Sequence, residues 1–134
     1  MSTHTSVDTP HSAIDQRLRE ARVGLDRVAP ADLDRELAEG AVLVDIRPQA
    51  QRDGEGPAPD GTLVIDRNVL EWRLDPTSDA RIDLADDHDI RWIILCSQGY
   101  ASSLAAAELQ GIGLHRATDL IGGYQALAEH WRTR

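Results

Sequence analysis

The sequence predicts an α/β fold with a mostly parallel central sheet flanked by helices. Three observations carry that expectation. Short apolar runs of strand length alternate with longer segments of helical periodicity, the pattern of strands joined by helical crossovers. Two runs, 41–45 and 92–96, are apolar almost without interruption, as strands covered on both faces must be. Polar residues with chemical potential follow each run at once, Asp45-Ile46-Arg47 after the first and Cys96 at the end of the second. In such sheets, ligands sit beyond the carboxyl ends of the strands.

The elements follow in order. Residues 1–11 are polar and read as a flexible N-terminus. Residues 12–29 read as an N-terminal helical extension: Ser12 can cap a helix reaching residue 26, with Ile14, Leu18, Ala21 and Leu25 on one face. That helix either packs on its own domain or docks a partner. Residues 30–134 form the domain proper. Pro30 suits a first helical turn, Leu33 and Leu37 point inward, and Gly40 is a stop signal. The first strand, 41–45, leads into residues 48–61, whose three prolines and three glycines predict a loop. A second strand at 62–65 precedes a short helix carrying Val69, Leu70, Trp72 and Leu74, ended by Asp75-Pro76. The acidic stretch 79–89 reads as a surface helix or turn. After strand 92–96, residues 101–110 form an Ala/Leu helix closed by Gly111 and Gly113. A weak last strand, 116–120, and a helix opened by Gly122-Gly123 complete the chain. Trp72, Trp92 and Trp131 read as packing residues, with Trp72 a candidate for a pocket wall.

Bulk properties exclude several functions. At 134 residues the chain is most economically one domain, and 41% apolar with 28% charged residues is ordinary for a soluble protein. A net charge of -9 argues against a general nucleic-acid binder. It does not exclude a small-anion site, because local backbone dipoles can override the global field. No apolar run is long enough to span a membrane, and residues 1–10 lack the apolar core of a secretory signal. One cysteine forms no internal disulfide, which fits a reducing compartment, so a cytoplasmic location is expected. His4, His11, His88, His115 and His130 have no metal-ligand spacing with that cysteine, and no metal or cofactor is expected. Asp86-Asp87-His88-Asp89 lacks the glycine and distal glutamate of a Ca²⁺ loop.

Cys96 is where the chemistry concentrates. An isolated cysteine is most often a small core hydrophobe, but this one ends a buried strand and is followed at once by Ser97, Gln98 and Gly99 and then a helix start. Gly99 lets the loop curl so that successive N–H groups point inward. Ser102 or Ser103 can cap the helix. The loop amides and the positive helix end favour an anion at their focus, whether a thiolate, a persulfide or an anionic substrate.

With these residues in view, the sequence resembles the single-domain rhodanese (thiosulfate sulfurtransferase-like) family from about residue 31 to 131. The strand 42–45 with Ile46 and Arg47 is similar to the family's opening strand and its Asp-x-Arg ending. Cys96 to Ser102, followed by Ala105, Ala106 and Leu109, resembles the active-site loop and its helix. Leu120-Ile121-Gly122-Gly123 with Tyr124, Ala126 and Leu127 resembles the family's Leu-x-Gly-Gly-x-x-Ala-Trp ending. The resemblance implies a rhodanese-like domain at 30–134 in which Cys96 attacks the outer sulfur of a small anionic donor such as thiosulfate. Cys96 would become a persulfide, held by the backbone amides of Ser97, Gln98, Gly99, Tyr100, Ala101 and Ser102, and then release the sulfur to cyanide, a thiol or a protein acceptor. Arg47 is a further substrate-binding candidate, weighed against a structural pairing with Asp45.

Two departures stand out. Many family members carry Arg or Lys in the active-site loop, and here none lies between Cys96 and Ser103. The family's Gly-His-Ile-Pro-Gly-Ala segment is replaced at 54–61 by Gly-Glu-Gly-Pro-Ala-Pro-Asp-Gly. Arg47, Arg52 or Arg67 could supply the missing charge. A Cys-x5-Arg phosphatase would need arginine at position 102, which is serine, to clamp its phosphoryl group. A non-enzymatic module for sulfur carriage, redox sensing or partner binding is the alternative from a different class.

Overall fold

The computed structural model describes residues 11–133. The uninterrupted apolar runs form the middle of a four-stranded sheet. Its strands are β1 (Val42–Asp45), β2 (Leu63–Val64), β3 (Trp92–Leu95) and β4 (Thr118–Asp119), all parallel, in the order β2-β1-β3-β4. Residues Val42 to Asp45 pair in register with Trp92 to Leu95. A parallel bridge between Val28 and Leu120 adds one residue outside β4.

Side-chain alternation divides the core in two. Val44, Trp92 and Ile94 face one way, against Leu70 and Leu74 of α4 (Leu70–Leu74) and Ala105, Ala106 and Leu109 of α5 (Ala101–Gly111). Leu43, Ile93 and Leu95 face the other, against Leu33 of α2 (Leu33–Ala38) and Tyr124 and Leu127 of α6 (Gly123–Arg132). Each fully buried leucine contributes about 2 kcal/mol by removal of its surface from water.

The connection after β1 runs out to β2, and the one after β3 runs the other way, to β4. The loops at the carboxyl ends of β1 and β3 therefore diverge and leave a crevice between them, the position ligands occupy in open α/β sheets.

Several expectations need correction. Residues 48–61 are not wholly loop, because Gln49–Glu55 forms a helix, α3. Pro48 stands just before it at φ -60°, a fixed angle that suits a helix start, and Gly56 ends it at φ 118°. The prolines and glycines therefore punctuate this helix, and only Gly54 lies inside it. For residues 79–89 the turn alternative holds and the helix does not, with Ile82 and Ala85 anchoring the turns against the core. Of the tryptophans only Trp92 is buried; Trp72 is 60% exposed and Trp131 37%.

The extension is integral to the molecule. Ser12 caps α1 (Ala13–Val23) by accepting a hydrogen bond from the Asp15 amide, and α1 packs along α5. Leu25 and Val28 then enter the two core clusters. Of the predicted flexible N-terminus, residues 1–10 lie outside the described residues.

Candidate active site

Cys96 directly follows β3 and is 7% exposed at the base of a cleft of about 350 Å³. Ser97, Gln98, Tyr100 and Ala101 of the loop line it together with Gln51, Glu55 and Gln125. The loop curls as the sequence leads one to expect. The Gly99 and Ser102 amides both donate to Cys96 Sγ, at 3.1 and 3.4 Å. Gly99 has φ +85°, and a Cβ there would stand 2.7 Å from the Gly122 nitrogen. Its lack of a side chain is thus required twice, by conformation and by space.

The opening of α6 presses on the other side of this loop. The Tyr124 and Gln125 amides donate to the carbonyls of Cys96 and Ser97, at 2.8 and 3.0 Å. With those carbonyls held there, the Gly99 and Ser102 N–H groups are left to face the sulfur. A Cβ on Gly123 would come within 2.6 Å of the Cys96 carbonyl oxygen and 2.7 Å of the Gln98 and Gly99 nitrogens. Gly122-Gly123 is therefore not only turn chemistry, because it brings α6 into contact with the Cys96 loop.

Ser102 and Ser103 do not cap α5. Both hydroxyls donate to the fully buried carboxylate of Asp119, at 2.7 and 2.8 Å, and Arg27 grips the same carboxylate from the other side at 2.8 and 3.2 Å. Arg27 also reaches the Gly99 carbonyl at 3.1 Å, and Arg22 reaches it at 2.8 Å while donating to Ser103 Oγ. Burial lowers the Arg22 pKa, and its neighbour Arg27 lowers it further; Asp119, Tyr100 and Cys96 pull the other way. In formal charge, Arg22, Arg27 and Asp119 place one net positive charge behind the loop.

Arg47 does not line the cleft. Its side chain is fully buried, donating to both Asp45 oxygens, to Glu55 at 3.2 Å and to the Gly56 carbonyl, with its guanidinium 4.0 Å from the centre of the Tyr124 ring. These contacts give it the structural role with Asp45. Arg52 donates to the Arg47 carbonyl and to Gln49, and Arg67 pairs with Glu71, so both are engaged away from Cys96.

Glu55 was not foreseen. Its carboxylate accepts from Ser97 Oγ at 2.6 Å, from Gln125 at 3.3 Å and from Arg47. Burial pushes its pKa up, but hydrogen bonds from Ser97, Gln125 and Arg47 outweigh that and hold it below the usual glutamate range. Among the described residues Glu55 is the only charged group lining this cleft. No group of His, Cys, Asp and Glu among them could hold a metal ion, and no helix is long and apolar enough to cross a membrane.

The model of the rhodanese-like domain matches residues 29–130, most of the chain. This chain belongs to the rhodanese-like domain family. Among solved structures, a Rhodopseudomonas palustris protein of unknown function, described as a possible tyrosine phosphatase, is 28% identical, with a TM-score of 0.79 over 98% of this chain and 96% of that one. A Thermus thermophilus rhodanese homologue is 26% identical, covering 75% of this chain and 99% of its own, with a TM-score of 0.53. The human single-domain sulfurtransferase shares the fold at 22% identity, covering 77% and 95%, with a TM-score of 0.65. No curated protein matches the sequence. As a rhodanese-like domain, the chain has the family's parallel sheet and a single, buried cysteine at its carboxyl edge. Arg22 and Arg27 both precede the matched segment.

Proposed function

We propose that this rhodanese-like domain is a sulfurtransferase that carries a sulfane sulfur on Cys96. The observation supporting this most directly is the convergence of the Gly99 and Ser102 amides on Cys96 Sγ at the base of an open cleft. Two fixed N–H donors stabilise a sulfur-centred anion with no reorganisation when it forms. The thiolate attacks the outer sulfur of the donor. The Sγ–S bond forms, the donor's own bond to that sulfur breaks, and the leaving group departs with the electron pair, as sulfite if thiosulfate is the donor. Cyanide or a thiolate then attacks the outer sulfur of the persulfide, giving thiocyanate or a new persulfide and returning the Cys96 thiolate. The two half-reactions share no ternary complex, so the kinetics are ping-pong.

Charge bears on the choice of donor. Glu55, the only charged group among the described residues that line the cleft, puts a negative charge there, and the lining is otherwise neutral. A dianion such as thiosulfate meets repulsion there, whereas a thiol persulfide of lower charge meets less. Phosphoryl transfer is poorly matched, since no cation lines the cleft among the described residues and position 102 is serine.

Mass spectrometry after incubation with thiosulfate, 3-mercaptopyruvate or a small-thiol persulfide tests the reading. A gain of about 32 Da (one sulfur atom) is expected on Cys96 and is expected to be absent in Cys96→Ser. Failure of every donor to load Cys96 would overturn it.

A further inference from the structure

We propose that Arg22 and Arg27 are positioning residues for sulfur transfer, holding the Gly99–Tyr100 peptide so that the Tyr100 N–H faces the outer sulfur of the Cys96 persulfide. The inference rests on the sulfurtransferase reading above but concerns residues from outside the segment that defines the family.

Two guanidinium groups donate to one carbonyl oxygen, that of Gly99, at 2.8 and 3.1 Å. They arrive from 77 and 72 residues away in sequence. A trans peptide is planar, and its C=O and N–H point in opposite directions. Fixing the Gly99 oxygen toward the arginines therefore turns the Tyr100 N–H away from them, toward the cleft that Tyr100 lines. The Gly99 and Ser102 amides already occupy Sγ. A sulfur added to Sγ extends outward and needs a donor further along the loop, and the next amide after Gly99 is that of Tyr100.

The anchoring is built to last. Arg27 is clamped on Asp119, and Asp119 also takes the Ser102 and Ser103 hydroxyls, so the arginines, the loop and the first turn of α5 move together. Arg22 adds a second tie to Ser103 and lies over the Tyr100 ring at 5.8 Å. A positive charge in the loop itself would occupy the cleft. Here the charge acts from behind, through a carbonyl, and leaves the cleft to the substrate.

The discriminating variant is Arg22→Met, since Arg22 makes no direct contact with buried Asp119 and its loss leaves the Arg27–Asp119 pair intact. Persulfide formation on Cys96 is expected to slow about tenfold or more, with Arg22→Lys recovering most of the loss by donating to the same carbonyl. Arg17→Met, on the exposed part of the same helix, is expected to react as wild type. In ¹H–¹⁵N spectra the Tyr100 amide of wild type should shift downfield when Cys96 is persulfidated, and this response should vanish in Arg22→Met. In the sulfur-free protein, hydrogen exchange at the Gly99 amide should speed up in Arg22→Met but not in Arg17→Met. An unchanged exchange rate overturns the positioning role even if no donor loads Cys96. Loading of wild type with no Tyr100 response, or wild-type kinetics in Arg22→Met, also overturns it while leaving the sulfurtransferase reading standing.

Discussion

Replacing Gly123 by alanine tests whether the α6 opening shapes the Cys96 loop. Gly123 has φ +64°, and its new Cβ would meet the Cys96 oxygen at 2.6 Å and the Gln98 and Gly99 nitrogens at 2.7 Å. All three are backbone atoms, so none can swing aside. The left-handed conformation costs an L-residue about 1–2 kcal/mol, and relieving the overlap adds about 1–3 kcal/mol. The total, about 2–5 kcal/mol, corresponds to a Tm lower by roughly 10 °C in a chain of this size. Gly122→Ala is the matched control. It too is left-handed, φ +74°, and its Cβ would stand 2.5 Å from Ala126 Cβ, within α6 and away from the loop amides. Both variants should lose comparable stability in thermal unfolding. At a temperature where both remain folded, Gly123→Ala should form the Cys96 persulfide at least about tenfold more slowly than Gly122→Ala, a barrier difference of about 1.4 kcal/mol. Equal rates in the two variants would refute the claim that Gly123 shapes the cradle.

Two further outcomes follow from charge. Glu55→Gln keeps the contacts to Ser97 and Gln125 within reach but removes the negative charge from the cleft lining. The ratio of kcat/KM for thiosulfate to that for a thiol persulfide of lower charge should rise, by up to about tenfold for a partly desolvated charge near a dianion; an unchanged ratio argues against Glu55 as a selector. Away from the site, Arg91 donates to both Glu36 oxygens at 3.1 and 3.2 Å, and this hydrogen bonding, opposed in part by burial, holds the Glu36 pKa below its ordinary 4.5. A depressed carboxyl stabilises the fold fully above its unfolded pKa and loses that contribution as pH falls through the folded one. Denaturant unfolding should therefore show Glu36→Gln less stable than wild type at neutral pH, the gap closing as pH drops below about 4.5. A gap independent of pH would place the role of Glu36 in packing.

What the sequence made legible was governed by local pattern. The buried strands 42–45 and 92–95 are marked by their apolar runs, and the Cys96 loop by a glycine and polar residues between a strand and a helix. Helix α3 was hidden because Pro and Gly count as loop signals wherever they fall, although here they bound the helix. Glu55 was hidden with it: once residues 48–61 read as loop, nothing aimed that carboxylate at Ser97. The absence of a cation between Cys96 and Ser103 was legible, but its remedy was not. Arg22 and Arg27 look like the solvent face of an amphipathic segment, and Asp119 like the polar end of a weak strand. Only the parallel bridge of Val28 to Leu120 carries residue 27 beside Asp119, and only the packing of α1 on α5 brings Arg22 over Gly99. The result is a charge asymmetry that no local motif encodes. One net positive charge, from Arg22, Arg27 and Asp119, lies behind the Cys96 loop, and one negative charge, Glu55, lines the cleft. A persulfide on Cys96 would feel the first through the polarised Gly99 peptide, while an incoming donor would meet the second in the cleft lining. On the sulfurtransferase reading proposed above, that arrangement favours holding sulfur over recruiting a dianion.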